Sequence, residues 1–184
     1  MRFKILTILP AVAALSAWEG VPAAHAGNHA LRLAPTYQLL TGSPFAGTGN
    51  DGTGLTSTWE RMLTDKFGFG INLAWRTFPA GQAMTQIGYG LVLKHYLNGE
   101  GARGEGIRPF LEYGLLLQIS TLAGRAGSGT SHDTRLTAGA DLPLFGAPLY
   151  GAASYHFSTL RYFENPSIDL NYLGLEFGVR FSWE

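Results

Sequence analysis

Cysteine is absent from all 184 residues, so no disulfide can staple the fold and no lipid-modified cysteine can anchor the chain. Charge is scarce too. Asp, Glu, Lys and Arg make up 14% of the chain, where a soluble domain averages roughly a quarter. Past residue 26, eleven Lys or Arg face twelve Asp or Glu, so there is no basic field to attract nucleic acid. Nor does any later segment approach the run of about 18 apolar residues that a membrane-spanning helix needs. Gly and aromatic residues, by contrast, are plentiful.

The chain opens with "MRFK", runs through the apolar stretch "ILTILPAVAALSA" and reaches "AAHAG", with small residues at Ala24 and Ala26. This pattern predicts a secretory signal peptide over residues 1–26, cleaved after Ala26. Residues 27–184 are then enough for one domain.

Within that domain the informative signal is period two, because a strand sends successive side chains to opposite faces. With turn residues as punctuation, eight strands are expected near 29–41, 53–63, 67–78, 85–97, 107–121, 133–145, 148–160 and 169–183. Longer connections, such as "GSPFAGTGNDG" and "LAGRAGSGTSH", alternate with mostly shorter ones, such as "TDK" and "GA". In the last strand Leu173, Leu175, Phe177, Val179, Phe181 and Trp183 share one parity, while Glu176 and Arg180 share the other. Arg32, Glu60, Arg76, Lys94, Arg108, Glu112, Arg135 and Asp141 likewise fall on the polar parity of their strands.

A soluble sandwich would bury the apolar parity and expose the charged one. Three features favour the reverse: the export signal, the even strand count with asymmetric loops, and aromatics near strand ends (Phe78, Tyr96, Trp183) that could sit at headgroup depth. The expected fold class is therefore all-β, an eight-stranded antiparallel transmembrane β-barrel in the outer membrane of a Gram-negative bacterium. Its lumen would be narrow enough for side chains to fill. Paired inward charges would leave no continuous pore, which argues against a diffusion porin.

The stretch "YHFSTLRYFENPSID" holds the candidate chemistry. His156 and Ser158 are i and i+2 on one strand, so they share a face about 6 to 7 Å apart. Asp169 opens the next strand. A serine becomes nucleophilic when a base takes its proton and a third group orients that base. Asp169 has the lipid-facing parity of Leu173 and Phe177, whereas the parity of His156 admits either face. Glu164, in the intervening loop, is the alternative acid. His29, His95 and His132 have no paired carboxylate spacing and are expected to be structural rather than metal ligands.

The motifs "IRPFLEYG", "DTRLTAGADL" and "HFS" followed by "NPSID" resemble those of the lipid A 3-O-deacylases of the PagL type. The resemblance implies an outer-membrane barrel that removes an ester-linked acyl chain from lipid A, with no metal or other cofactor. It assigns Ser158 as nucleophile, His156 as general base and Asp169 as orienting acid, all facing lipid. Thr159 stands where that family carries an Asn of the oxyanion hole. The partner implied is lipopolysaccharide of the outer leaflet, and a homodimer is left open. The rival reading is a non-enzymatic barrel resembling the OmpA or OmpX type, with a structural or surface-interaction role.

Overall fold

The computed structural model describes residues 29–41, 51–79, 83–98, 106–123, 128–144, 147–161 and 168–183. The expected signal peptide and Glu164 lie outside them. The elements are β1 (His29–Leu40), β2 (Gly52–Met62), β3 (Phe67–Phe78), β4 (Met84–Tyr96), β5 (Arg108–Leu122), β6 (Ser128–Leu144), β7 (Ala147–Arg161), β8 (Ile168–Asp169) and β9 (Tyr172–Trp183). Strands β1 to β6 pair in sequence, β9 pairs with both β1 and β7, and β6 pairs with β7, so the sheet closes on itself. Every pairing is antiparallel. The short β8 continues the line of β9 beyond Leu170 and Asn171 and pairs with β7. The wall thus has eight staves, and the fold is the expected eight-stranded antiparallel transmembrane β-barrel.

Closure explains the pattern of side chains. In lipid, each backbone N–H and C=O must find a partner within the protein, and a closed sheet supplies those partners without an edge. The period-two alternation then sends one set of side chains outward and the other into the lumen. Leu55, Leu73, Leu91, Leu93, Leu115 and Phe177 stand exposed on the outside. Arg32, Glu60, Arg76, Lys94, Glu112, Arg135, Asp141, Glu176 and Arg180 are buried inside. A water-soluble protein does not turn its core inside out in this way, and the exposed belt is a surface for hydrocarbon.

The bore is narrow, and glycine makes that possible where strands crowd. A Cβ on Gly90 would lie 2.0 Å from the Leu115 carbonyl oxygen, and one on Gly178 would lie 2.0 Å from that of Leu33.

The lumen is packed as an ionic ladder. Glu112 is gripped by both Arg32 and Arg135. Arg32 also pairs with Glu60, which meets Lys94 at 3.4 Å and Arg180 at 3.7 Å. Asp141 gathers Arg108 and Arg180 at 3.4 Å and Lys94 at 3.8 Å, and Tyr96 donates its hydroxyl to the same carboxylate at 2.7 Å. Aromatic faces fill the gaps, with the Lys94 ammonium 3.9 Å from the Phe110 ring centroid.

Phe78 and Tyr96 depart from expectation. Both are fully buried in the lumen rather than placed at headgroup depth. They have the parity of the inward residues Arg76 and Lys94, and at the two ends of the bore they act as stoppers. At the loop end Phe78 joins Leu40, Met84, Leu170 and Tyr172 in an apolar plug. At the end carrying the chain termini Tyr96 meets Phe110 edge to face. Trp183 does face outward, as expected.

Because Glu112 neutralises two buried guanidiniums, Glu112→Gln should destabilise the barrel by about 3 to 5 kcal/mol, the usual cost of leaving a buried charge unpaired. A lowered urea midpoint in lipid vesicles would register it; an unchanged midpoint would show that the ladder carries no net stability.

Candidate functional site

His156 and Ser158 point into the lumen, and both are buried. Asp169 is exposed on the outer face. The structure therefore does not bring the three expected residues together, and the outward His156 implied by the family resemblance is corrected. Cross-strand partners in a sheet share a face. His156 pairs with Arg135 on β6 and with Tyr172 on β9, both buried in the lumen, so its side chain points inward with theirs.

Each expected residue has other partners. The Ser158 hydroxyl donates to Gln118 Oε1 at 3.4 Å, and its backbone N–H donates to Asn171 Oδ1 at 3.3 Å. Thr159 donates its hydroxyl to Asp169 Oδ1 at 3.1 Å. That hydroxyl is on the far side of the wall from His156 and is already committed to a carboxylate, so it is not an oxyanion donor for chemistry at Ser158.

A different constellation surrounds His156. Its Nδ1 lies 2.7 Å from Asp133 Oδ2 and its Nε2 lies 3.0 Å from Ser154 Oγ. A carboxylate can only accept, so Nδ1 carries the hydrogen, and in the neutral ring Nε2 accepts from Ser154. Gln118 Nε2 donates to the same Asp133 oxygen at 2.6 Å and Tyr172 Oη at 3.2 Å. Arg76 Nη1 stands 3.9 Å away, and Tyr172 stacks on the imidazole with ring centroids 4.1 Å apart.

Ser154, His156 and Asp133 thus form a serine–histidine–carboxylate relay of the kind that activates a hydroxyl. Sequence reasoning misses Asp133 because it sits at the expected boundary of its strand, and misses Ser154 because the serine after His156 competes with the one before it. The signals are present: Asp133 shares the inward parity of Arg135 and Asp141, and Ser154 is i−2 to His156.

The relay is closely packed. A Cβ on Gly174 would fall 2.6 Å from Ser154 Oγ and 3.3 Å from His156 Nε2, so the β9 backbone lies close against the hydroxyl. The apolar plug lies at the loop end of the bore and includes Tyr172, which covers the imidazole. Among the described residues, no group of three or more His, Cys, Asp or Glu side chains could hold a metal ion.

No protein-family model matches this sequence, and no curated protein matches it. Solved structures do. Neisserial surface protein A superposes with a TM-score of 0.66 at 12% identity, over 85% of this chain and 98% of that one. The outer membrane protein OprG from Pseudomonas aeruginosa gives 0.59 at 15% identity, over 89% and 100%. The outer membrane enzyme PagL gives 0.57 at 11% identity, over 84% and 99%. An enzyme and other outer-membrane proteins share this architecture, so the likeness speaks for the fold alone.

Removing the Asp133 carboxylate would strand the donors of His156, Gln118 and Tyr172 inside the lumen. Asp133→Ala should therefore cost about 3 kcal/mol, while Asp169→Ala, on the exposed face, should stay within about 0.5 kcal/mol. Urea midpoints of the two variants in vesicles compare them directly, and equal midpoints would contradict this division between lumen and surface. The conclusion of the geometry is that this chain is an eight-stranded barrel of the outer-membrane type whose expected catalytic residues lie on opposite sides of its wall.

Proposed function

We propose that the protein is a sealed outer-membrane barrel with a non-enzymatic, structural or surface-interaction role. The observation that carries this reading is the separation of Ser158 and His156 from Asp169 by the thickness of the sheet. The filled lumen supports it further, because a ladder of paired charges closed by aromatic stoppers offers no path for solutes.

The partner on the loop side is the lipopolysaccharide headgroup region. Support comes from a lateral row of hydroxyls in which Thr53 pairs with Thr77, Thr77 with Thr85, and Thr85 with Thr121, all on the outward parity. Hydroxyls at that depth match a sugar-rich headgroup layer better than they match acyl chains.

A second reading, hydrolysis of an ester-linked acyl chain of lipid A, is favoured by one observation, the relay of Ser154, His156 and Asp133. It would require the close contact of Gly174 with the hydroxyl to open.

Mass spectrometry of lipid A separates the two. Under the first reading, cells expressing the wild type, Ser154→Ala or Ser158→Ala carry the same lipid A. Loss of one acyl group in the wild type that Ser154→Ala or Ser158→Ala abolishes would establish the hydrolase and identify its serine. In planar bilayers the purified barrel should show no stepwise conductance, and porin-like steps would refute the sealed lumen.

A further inference from the structure

The two rims of the barrel differ in chemistry. On the loop side the outward polar groups are chiefly hydroxyls, with the Asp169 carboxylate and the exposed His132 beside them. On the side of the chain termini two cations, Arg61 and Lys66, stand with the single exposed carboxylate of Asp65 among aromatic rings. His29 is the cross-strand partner of both Arg61 and Trp183. Its imidazole stacks between two indoles, with centroids 5.7 Å from Trp59 and 6.1 Å from Trp183. Trp59 in turn meets Phe69 edge to face at 6.0 Å, and Phe69 is the other cross-strand neighbour of Arg61. Lys66, in the adjoining turn, is exposed.

Arg61 is itself exposed, and among the described residues no carboxylate pairs with it. A guanidinium directly beside an imidazole, on side chains about 5 Å apart at Cβ, offers several N–H donors to one anion. Arginine suits a phosphate because its planar fork can donate two parallel hydrogen bonds. The flanking indoles have the amphipathic character that settles at the boundary between acyl chains and headgroups.

We propose that the rim formed by β9, β1 and β2 is a binding site for the phosphate of an anionic phospholipid, one without a headgroup cation, in the leaflet on the side of the chain termini. Arg61 is the charged ligand and His29 a second donor, while Trp59 and Trp183 pack along the glycerol and upper acyl chains. Charge complementarity selects this occupant. Among the described residues, the outward-facing Arg61 and the turn residue Lys66 outnumber the exposed Asp65 of the same turn and leave this rim net positive, whereas Asp169 places a negative charge at the other. The site therefore also favours one orientation of the barrel across an asymmetric bilayer.

The test uses the folded mature barrel in vesicles. Trp75→Phe leaves Trp59 and Trp183 as the fluorescent reporters in residues 27–184. Brominated phosphatidylglycerol or brominated phosphatidylcholine, at equal mole fraction, then competes for contact with them. The anionic lipid should bind the rim about fivefold or more in preference, as expected for one basic side chain near a headgroup layer. Arg61→Gln should bring the preference close to one with folding unchanged on a gel-shift assay. Equal quenching by the two lipids in the protein with Arg61 intact overturns the proposal, and this comparison stands even if Arg61→Gln fails to fold. Unbrominated lipid A or inorganic phosphate relieving the quenching more effectively than unbrominated phosphatidylglycerol would equally overturn the assignment to a phospholipid.

Discussion

The structure depends on one constraint, the requirement that every backbone hydrogen bond be made within a closed ring of strands. Once the ring closes, each side chain has two destinations, hydrocarbon or a bore too narrow to hold much water. Glu112 bears the consequence. A carboxylate inside such a bore must be paired, and it is held between Arg32 and Arg135, each of which reaches a further acid. The charges of the lumen are less a surface folded inward than a core built from ions. Removing one member disturbs the pairing of several neighbours.

The same constraint limits where chemistry can assemble. Groups that cooperate through hydrogen bonds must share a face, so a triad in this wall draws its members from one parity across adjacent strands. His156 obeys this rule by taking Asp133 from β6 and Ser154 from its own strand, not the carboxylate across the loop. Asp169 settles instead for Thr159 on the outer face, at the rim, where a carboxylate is least costly. Within the packed lumen the relay satisfies hydrogen bonds of its buried polar groups. Its contacts with Gln118 and Tyr172 tie β5, β6, β7 and β9 together through one carboxylate.

The two ends of the barrel meet different solvents. Hydroxyls dominate the loop-side rim, whereas rings and cations dominate the rim beside the termini. Phe78 and Tyr96 illustrate how close the alternatives lie. One residue of register separates a headgroup anchor from a lumen stopper, and the parity of Arg76 and Lys94 assigns both to the lumen.

The sequence by itself determined the architecture, because alternation persists wherever one face is greasy and the other charged. The odd positions of the last strand, from Leu173 to Trp183, separated a greasy face from a charged one, the even strand count with asymmetric loops favoured lipid over a buried core, and the ten inward charges expected were all found inside the wall. It could not orient His156, since Ala152, Ala153, Ser154 and Tyr155 give both faces of β7 similar character. Only the tertiary structure decided that point. The register of a closed barrel sets His156 beside Arg135 and Tyr172, and no local pattern encodes which residues of distant strands will lie opposite one another.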